Sequence, residues 1–350
     1  MNFIKRTVFL MNKGIIVAGN MIVDLLKKID AYPEACNLTT IRKVEQSMGG
    51  LVPNCIQDLA IIDPSLPLKA VGIVGKDDYG KFIKDNLEKY PNISTEFVKE
   101  AGQTSFTDVM YDSVRRTRAF FQFRGANAEF SQADIDFDKI EGDILHIGYI
   151  LLLDTLDEPD EEYGTKMARL LADAQKHGIK TSIDIVSEES DRYRTTVAPA
   201  LKYTDYCIIN EVESAKIVGI PSKDENGNII EENMPKILRG LRDLGVSNWI
   251  IIHARDASYG LDVDGTYVRI DALDIPRSMI VGTTGAGDAF CSGTIYAAYK
   301  GMSMIDAMNF GTAVASCSIL TAGASDGIRS YEDTLKFAKE FPEPKMTIVK

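Results

Sequence analysis

Short runs of consecutive apolar residues, rich in Ile and Val, recur at 14–18, 68–74, 144–147, 180–185, 206–209 and 249–252. Such runs are too short for ordinary helices and show little polar alternation, the pattern of strands buried on both faces. Between them, apolar residues return at helical intervals, as with Met167, Leu170, Leu171 and Ala174 within 163–177, and again over 234–244. Strands alternating with helices predict βαβ units, and hence an α/β fold with a doubly wound, mostly parallel sheet flanked by helices. Two segments, 24–48 and 104–127, break this rhythm with Thr, Val, Phe and Tyr interleaved with charges. In the second, Val109 and Tyr111 precede the turn Asp112-Ser-Val-Arg-Arg116 and residues 119–123 follow it, which reads as a hairpin. Together they predict a small β-sheet lid inserted into a single domain spanning 1–350, since neither repeats nor a linker divide the chain.

Composition changes this picture little and narrows the partners. Hydrophobic residues at 45% and charged residues at 26% are ordinary globular usage. The net charge of -12 disfavours a broad grip on nucleic-acid phosphates, so an anionic ligand needs a local device. Five cysteines, at 36, 55, 207, 291 and 317, form no Cys-x-x-Cys pair and are odd in number. They read as reduced thiols of a cytoplasmic protein rather than a disulfide framework or a zinc ribbon. Lys5, Arg6 and Lys13 interrupt the apolar residues of 1–17, which leaves neither a signal peptide nor a membrane span.

Chemistry concentrates in Thr283-Thr284-Gly285-Ala286-Gly287-Asp288-Ala289-Phe290, placed between a strand and a helix. Two glycines around one alanine let successive N–H groups face one concavity, and the helix N-terminus adds its positive dipole end. That is a site for a phosphate or a developing anion. Asp288 at its rim suits a base for a hydroxyl that attacks the anion, although an acidic residue in a first turn is also favoured by the dipole alone. Other nucleotide and hydrolase patterns fail. Neither a P-loop nor a Gly-x-Gly-x-x-Gly is present, and Gly323-Ala-Ser325-Asp-Gly327 resembles a nucleophile elbow with no histidine beyond His253 to follow it.

The 283–290 segment resembles the Asp-Thr-x-Gly-Ala-Gly-Asp signature of the ribokinase-like (PfkB) carbohydrate kinases, with Gly282 in place of the first Asp. Gly49-Gly50-Leu-Val-Pro-Asn54, Val71-Gly-Ile-Val-Gly75-Lys-Asp77-Asp-Tyr-Gly80 and Gly125-Ala-Asn127 resemble further stretches of that family, in its order. The resemblance implies an ATP- and Mg2+-dependent sugar kinase acting on a hydroxymethyl group, with ribose- or fructose-like sugars, nucleosides and ketodeoxy acids all open as acceptors. A sugar or nucleoside sensor on the same fold is the non-catalytic alternative, disfavoured by an intact Asp288.

By the same resemblance Asp288 is the catalytic base and Gly285, Ala286 and Gly287 form the anion hole. Asp24, Gly49, Gly50, Asn54 and Asn127 line the sugar pocket. Asp184, Asn210, Glu213, Thr283 and Thr284 serve the nucleotide, with Glu213 reaching magnesium through water. Asn210 and Glu213 also have the spacing of a helix cap, so that pair carries two readings. Gly282 removes the carboxylate that helps hold a monovalent cation in the family, which places potassium activation in doubt. His253-Ala-Arg-Asp-Ala-Ser-Tyr-Gly260 departs from the glycines usual in the nucleotide loop. A homodimer through the lid is a further implication.

Overall fold

The computed structural model describes residues 12–349, so residues 1–11, on which most of the expectation about a leader falls, lie outside the described residues. Edge to edge, the main sheet runs Met346–Val349, Tyr267–Asp271, Ala257–Leu261, Trp249–His253, Tyr206–Asn210, Lys180–Ile185, Ile144–Ile150, Ile15–Gly19, Leu68–Val74, Ile93–Glu100. From Trp249–His253 to Ile93–Glu100 every neighbour pairs in parallel, and the remaining strands add on antiparallel. The continuous apolar runs follow from this placement, because side chains alternate between faces and both faces are covered. Ile15 and Val17 enter one core with helices Leu51–Ile62, Ala286–Tyr299 and Met304–Ser318. Ile16 and Ala18 enter the other, against Lys166–Lys176 and Met234–Asp243.

The predicted helix over 163–177 begins only at Lys166, because the Thr165 side chain caps it by accepting from the Ala168 N–H at 3.2 Å. The run expected to end at 147 continues as a strand to Ile150, which carries Gly148 and Tyr149 to the top of the sheet. From Ile15–Gly19 the chain proceeds to Leu68–Val74 on one side and later to Ile144–Ile150 on the other. This reversal of strand order opens a crevice at the carboxyl ends of the strands.

A separate sheet, ordered Ile41–Gly49, Ile22–Ile29, Phe106–Asp112, Thr117–Phe123, stands beside that crevice. Register places Asp24, Ser47, Thr107 and Gln122 in one row and Val23, Met48, Phe106 and Phe123 in the next, on the opposite face. The Asp24 face turns to the crevice. The other leaves Ile41, Val44, Phe121 and Phe123 exposed, Val44 and Phe121 by more than half.

Candidate active site

The Ala286–Tyr299 helix starts under Gly285, whose φ of 78° is a left-handed conformation. A Cβ there would also strike Ala324 Cα at 2.8 Å, so glycine answers both backbone and neighbour. Behind the next glycine lies a ring: a Cβ on residue 287 would sit 3.1 Å from His253 Cε1, and His253 itself packs on Phe290 at 5.3 Å. The stretch from His253 to Gly260, which departs from the family pattern, is thus a tight hairpin that sets His253 behind Gly287. Of the leading N–H groups, that of Ala286 reaches Thr283 O at 3.4 Å and that of Ala289 bonds to Gly285 O at 2.8 Å, while those of Gly287 and Asp288 have no partner within the helix.

Asp288 is in the first turn of that helix, and both its oxygens are engaged. Asn54 Nδ2 donates to Oδ2 at 2.9 Å and the Tyr149 hydroxyl donates to Oδ1 at 2.8 Å. Burial pushes its pKa up to about 6, while the Tyr149 and Asn54 bonds hold it down. Asn54 might have capped the Leu51–Ile62 helix, but the cap position belongs to Gly50 and the amide is spent on Asp288. Gly50, at φ 87°, wraps over Asn20, whose O would be 2.7 Å from a Cβ. Asp24 projects from the lid root toward the same space. Its pKa is also raised to about 6, by burial and then by the charge of Asp288.

Across the crevice, Asn210 Oδ1 accepts from the N–H groups of Val212 and Glu213, both at 2.9 Å, and Glu213 Oε2 accepts from Asn210 N–H at 3.1 Å. The pair is therefore a reciprocal helix cap, extended by Ser187 donating to Glu213 Oε1 at 2.7 Å. Asp184, nearly inaccessible, accepts from the Ile185 N–H at 2.7 Å. Burial, with the charges of Glu213 and Asp288, raises its pKa well above the usual range, and burial lifts Glu213 to about 7. Thr283 and Thr284 are exposed at the rim.

Asn127, which the resemblance places in the sugar pocket, follows the lid hairpin. It is buried, its Oδ1 accepts from Met21 N–H at 3.2 Å and its Nδ2 donates to Met21 O at 3.0 Å, so its amide clamps the lid root to the end of the first strand. Sequence reasoning missed Tyr149, although its place at a carboxyl strand end was a signal once the strand was extended past 147. From the lid, Arg118 Nη1 donates to Thr284 Oγ1 at 3.2 Å.

Below Asp288, His146, Asp184 and Cys291 bring one potential metal-ligand atom each within 4.8 Å of one another. Burial pulls the His146 pKa down to about 3 and pushes the Cys291 thiol up, so a neutral ring faces protonated thiols at 3.7 Å (Cys291) and 3.8 Å (Cys55). Those contacts account for the cluster without an ion.

The family model of pfkB family carbohydrate kinases matches residues 13–330, a span that includes the Gly285–Asp288 turn and the lid. The chain belongs to that family. The kinase is 27% identical over 325 residues to the ATP-dependent ribose-1-phosphate kinase of Halopiger xanaduensis, covering 90% of this chain and 94% of the relative. It is 25% identical over 322 residues to a 5-dehydro-2-deoxygluconokinase of Clostridium perfringens, covering 87% and 88%. Arabidopsis thaliana ribokinase, solved with ribose and ATP, superposes with a TM-score of 0.77 over 93% of this kinase and 98% of that chain, at 20% identity, which shows a shared fold. Among the described residues, no helix is long and apolar enough to cross a membrane.

Proposed function

We propose that this kinase transfers the γ-phosphoryl group of ATP to a hydroxymethyl group of a small ribose- or fructose-like sugar in the cytoplasm. The reading is carried by Asp288, held by Asn54 and Tyr149 beside the Gly285–Gly287 turn and facing Asp24. Asp24, Gly49, Gly50 and Asn54 hold the acceptor so that one hydroxyl meets Asp288. The carboxylate takes the proton as that oxygen bonds to phosphorus, the bond from phosphorus to the ADP oxygen breaks, and the Gly285, Ala286 and Gly287 amides receive the charge of the phosphoryl oxygens. A near-neutral pKa makes Asp288 a better proton acceptor than an ordinary carboxylate while leaving it ionised at pH 7.

Magnesium suits the donor set. Asp184 and Glu213 are buried carboxyls whose proton affinity burial raises, that of Asp184 further through the charge of Glu213, an arrangement a divalent cation relieves, with Glu213 acting through water. When bound, the ion neutralises charge on the nucleotide phosphates. Asn210 fixes Glu213, and Thr283 and Thr284 border the nucleotide. Gly282 offers no carboxylate, and a Cβ there would already meet Thr321 O at 3.0 Å, so the reading includes no strong potassium requirement. The exposed apolar face of the lid supports a homodimer through that face.

A second reading is that the acceptor is itself anionic, since two relatives along most of the chain are named for ribose 1-phosphate and for a deoxygluconate. Acceptor-stimulated ADP release, measured across free sugars, sugar acids, sugar phosphates and nucleosides, separates these. At least a tenfold stimulation by one class is expected. Stimulation by none, in protein that binds magnesium–ATP, would leave the sensor alternative standing.

A further inference from the structure

Arg118 and Thr284 are 166 residues apart, yet the Arg118 guanidinium reaches the hydroxyl of the residue that precedes the anion hole. The lid register explains the approach. Arg118 pairs with Tyr111, Tyr111 with Lys28 and Lys28 with Lys43, and this row shares the face that carries Asp24. The three cations of the row are not equivalent. Lys28 and Lys43 both pair with Glu45, at 3.9 and 2.5 Å. Arg118 has the neutral Thr284 hydroxyl and the Tyr111 ring, 5.9 Å from its Cζ, and among the described residues no carboxylate at ion-pair distance.

A guanidinium is permanently charged and carries five donors in a planar fork suited to phosphate oxygens. One hydroxyl occupies one of them. The crevice below is lined by Asp24, Asp184, Glu213 and Asp288, where the charge of Asp288 raises the proton affinity of Asp24 and Asp184 and that of Glu213 raises Asp184 further, so a bound polyphosphate has few cations to meet there. Backbone amides at Gly285–Gly287 supply dipoles, and Arg118 is placed to supply a full charge on the lid side of the same turn.

We propose that Arg118 is a catalytic residue borne by the lid, which exchanges the Thr284 hydroxyl for oxygens of the phosphoryl group in transit. The inference rests on the kinase reading above. Arg118 donates hydrogen bonds and keeps its protons throughout. The acceptor proton goes to Asp288, the new bond joins the acceptor oxygen to phosphorus, and the electron pair of the broken bond leaves with ADP. Closure of the lid and completion of the phosphoryl site are then one event.

The test compares magnesium adenylyl imidodiphosphate with magnesium ADP by titration calorimetry, in the parent, Arg118→Ala and Arg118→Lys, alongside turnover with the best acceptor from the screen. Arg118 is exposed, so both variants should melt like the parent. Arg118→Ala is expected to bind the triphosphate analogue about tenfold or more weakly with ADP affinity unchanged, and to lower kcat by about 10²-fold, the scale of one lost oxyanion donor. Arg118→Lys, a point charge, should recover part of both. An unchanged analogue-to-ADP ratio would overturn the proposal. So would a rise in KM confined to anionic acceptors with kcat intact, which would place Arg118 on the acceptor instead. Failure of the parent to bind either nucleotide would remove the kinase reading itself, a result distinct from both.

Discussion

The Asp24 carboxylate occupies the space that a side chain at Gly49 would need: a Cβ there would lie 2.1 Å from Asp24 Oδ2 and 2.7 Å from its Cγ. Glycine at 49 is therefore a condition for the acid at 24. Gly49→Ala should displace the carboxylate by about 1 Å, and a shift of that size costs on the order of 10²-fold in rate. Steady-state kinetics with the preferred acceptor, alongside a melting curve close to that of the parent, would check this.

Asp288 must be ionised to accept a proton, so kcat/KM should rise with pH through about 6 and level off above. The Tyr149 hydroxyl is the largest influence holding that pKa down. Tyr149→Phe should move the acid limb to higher pH, with a greater loss of rate at pH 6 than at pH 8. A pH profile with the limb unmoved would detach Tyr149 from the base. Asp288→Asn, which cannot take the proton, should lose about 10²- to 10⁴-fold at every pH.

Asp58 lies one turn beyond Asn54 on the same helix, fully buried, with neither oxygen in a hydrogen bond of ordinary geometry. Burial raises its pKa well above the usual value, and the nearby Ser325 and Ser292 hydroxyls only temper the rise. The folded protein thus holds a proton that the unfolded chain releases near pH 4, so this group's contribution to stability declines as pH climbs above that value. Asp58→Asn abolishes the decline. It should match the parent near pH 4 and exceed it at pH 8 by about 1 kcal/mol or more, the linkage cost of keeping a proton that the unfolded chain gives up. Denaturant melts at the two pH values decide it; a variant weaker than the parent at pH 8 would contradict the argument.

Ile41, Val44, Phe121 and Phe123 share the lid face that turns away from Asp24. If that face pairs with a second copy, Phe121→Asp should convert a sedimenting dimer to monomer at tens of micromolar. The parent already running as a monomer there would refute the pairing.

The main sheet was legible because strands covered on both faces need unbroken apolar runs, and Ile15 to Ala18 feeding two cores is that requirement in four residues. The Gly285–Asp288 turn was legible for another reason, since its parts are adjacent in the chain and glycine is demanded by local geometry. Tyr149 and Arg118 acquire meaning only through partners 139 and 166 residues away, and nothing in their own neighbourhoods records that. Asn127 marks the opposite limit. Its motif gave the residue type, but the backbone of Met21 decided where its amide would be used.

Asn54 and Asp288, the bonded pair at the centre of the site, are separated by 234 residues. A ribosome must therefore extrude the chain past Asp288 before the base has its partner. Growing chains carrying the early Gly-Gly and Asn elements can begin to fold, since domains organise during synthesis, but they cannot turn over substrate. Competence awaits the docking of Ala286–Tyr299 beside Leu51–Ile62, which keeps the enzyme silent while residues 1–285 are being made.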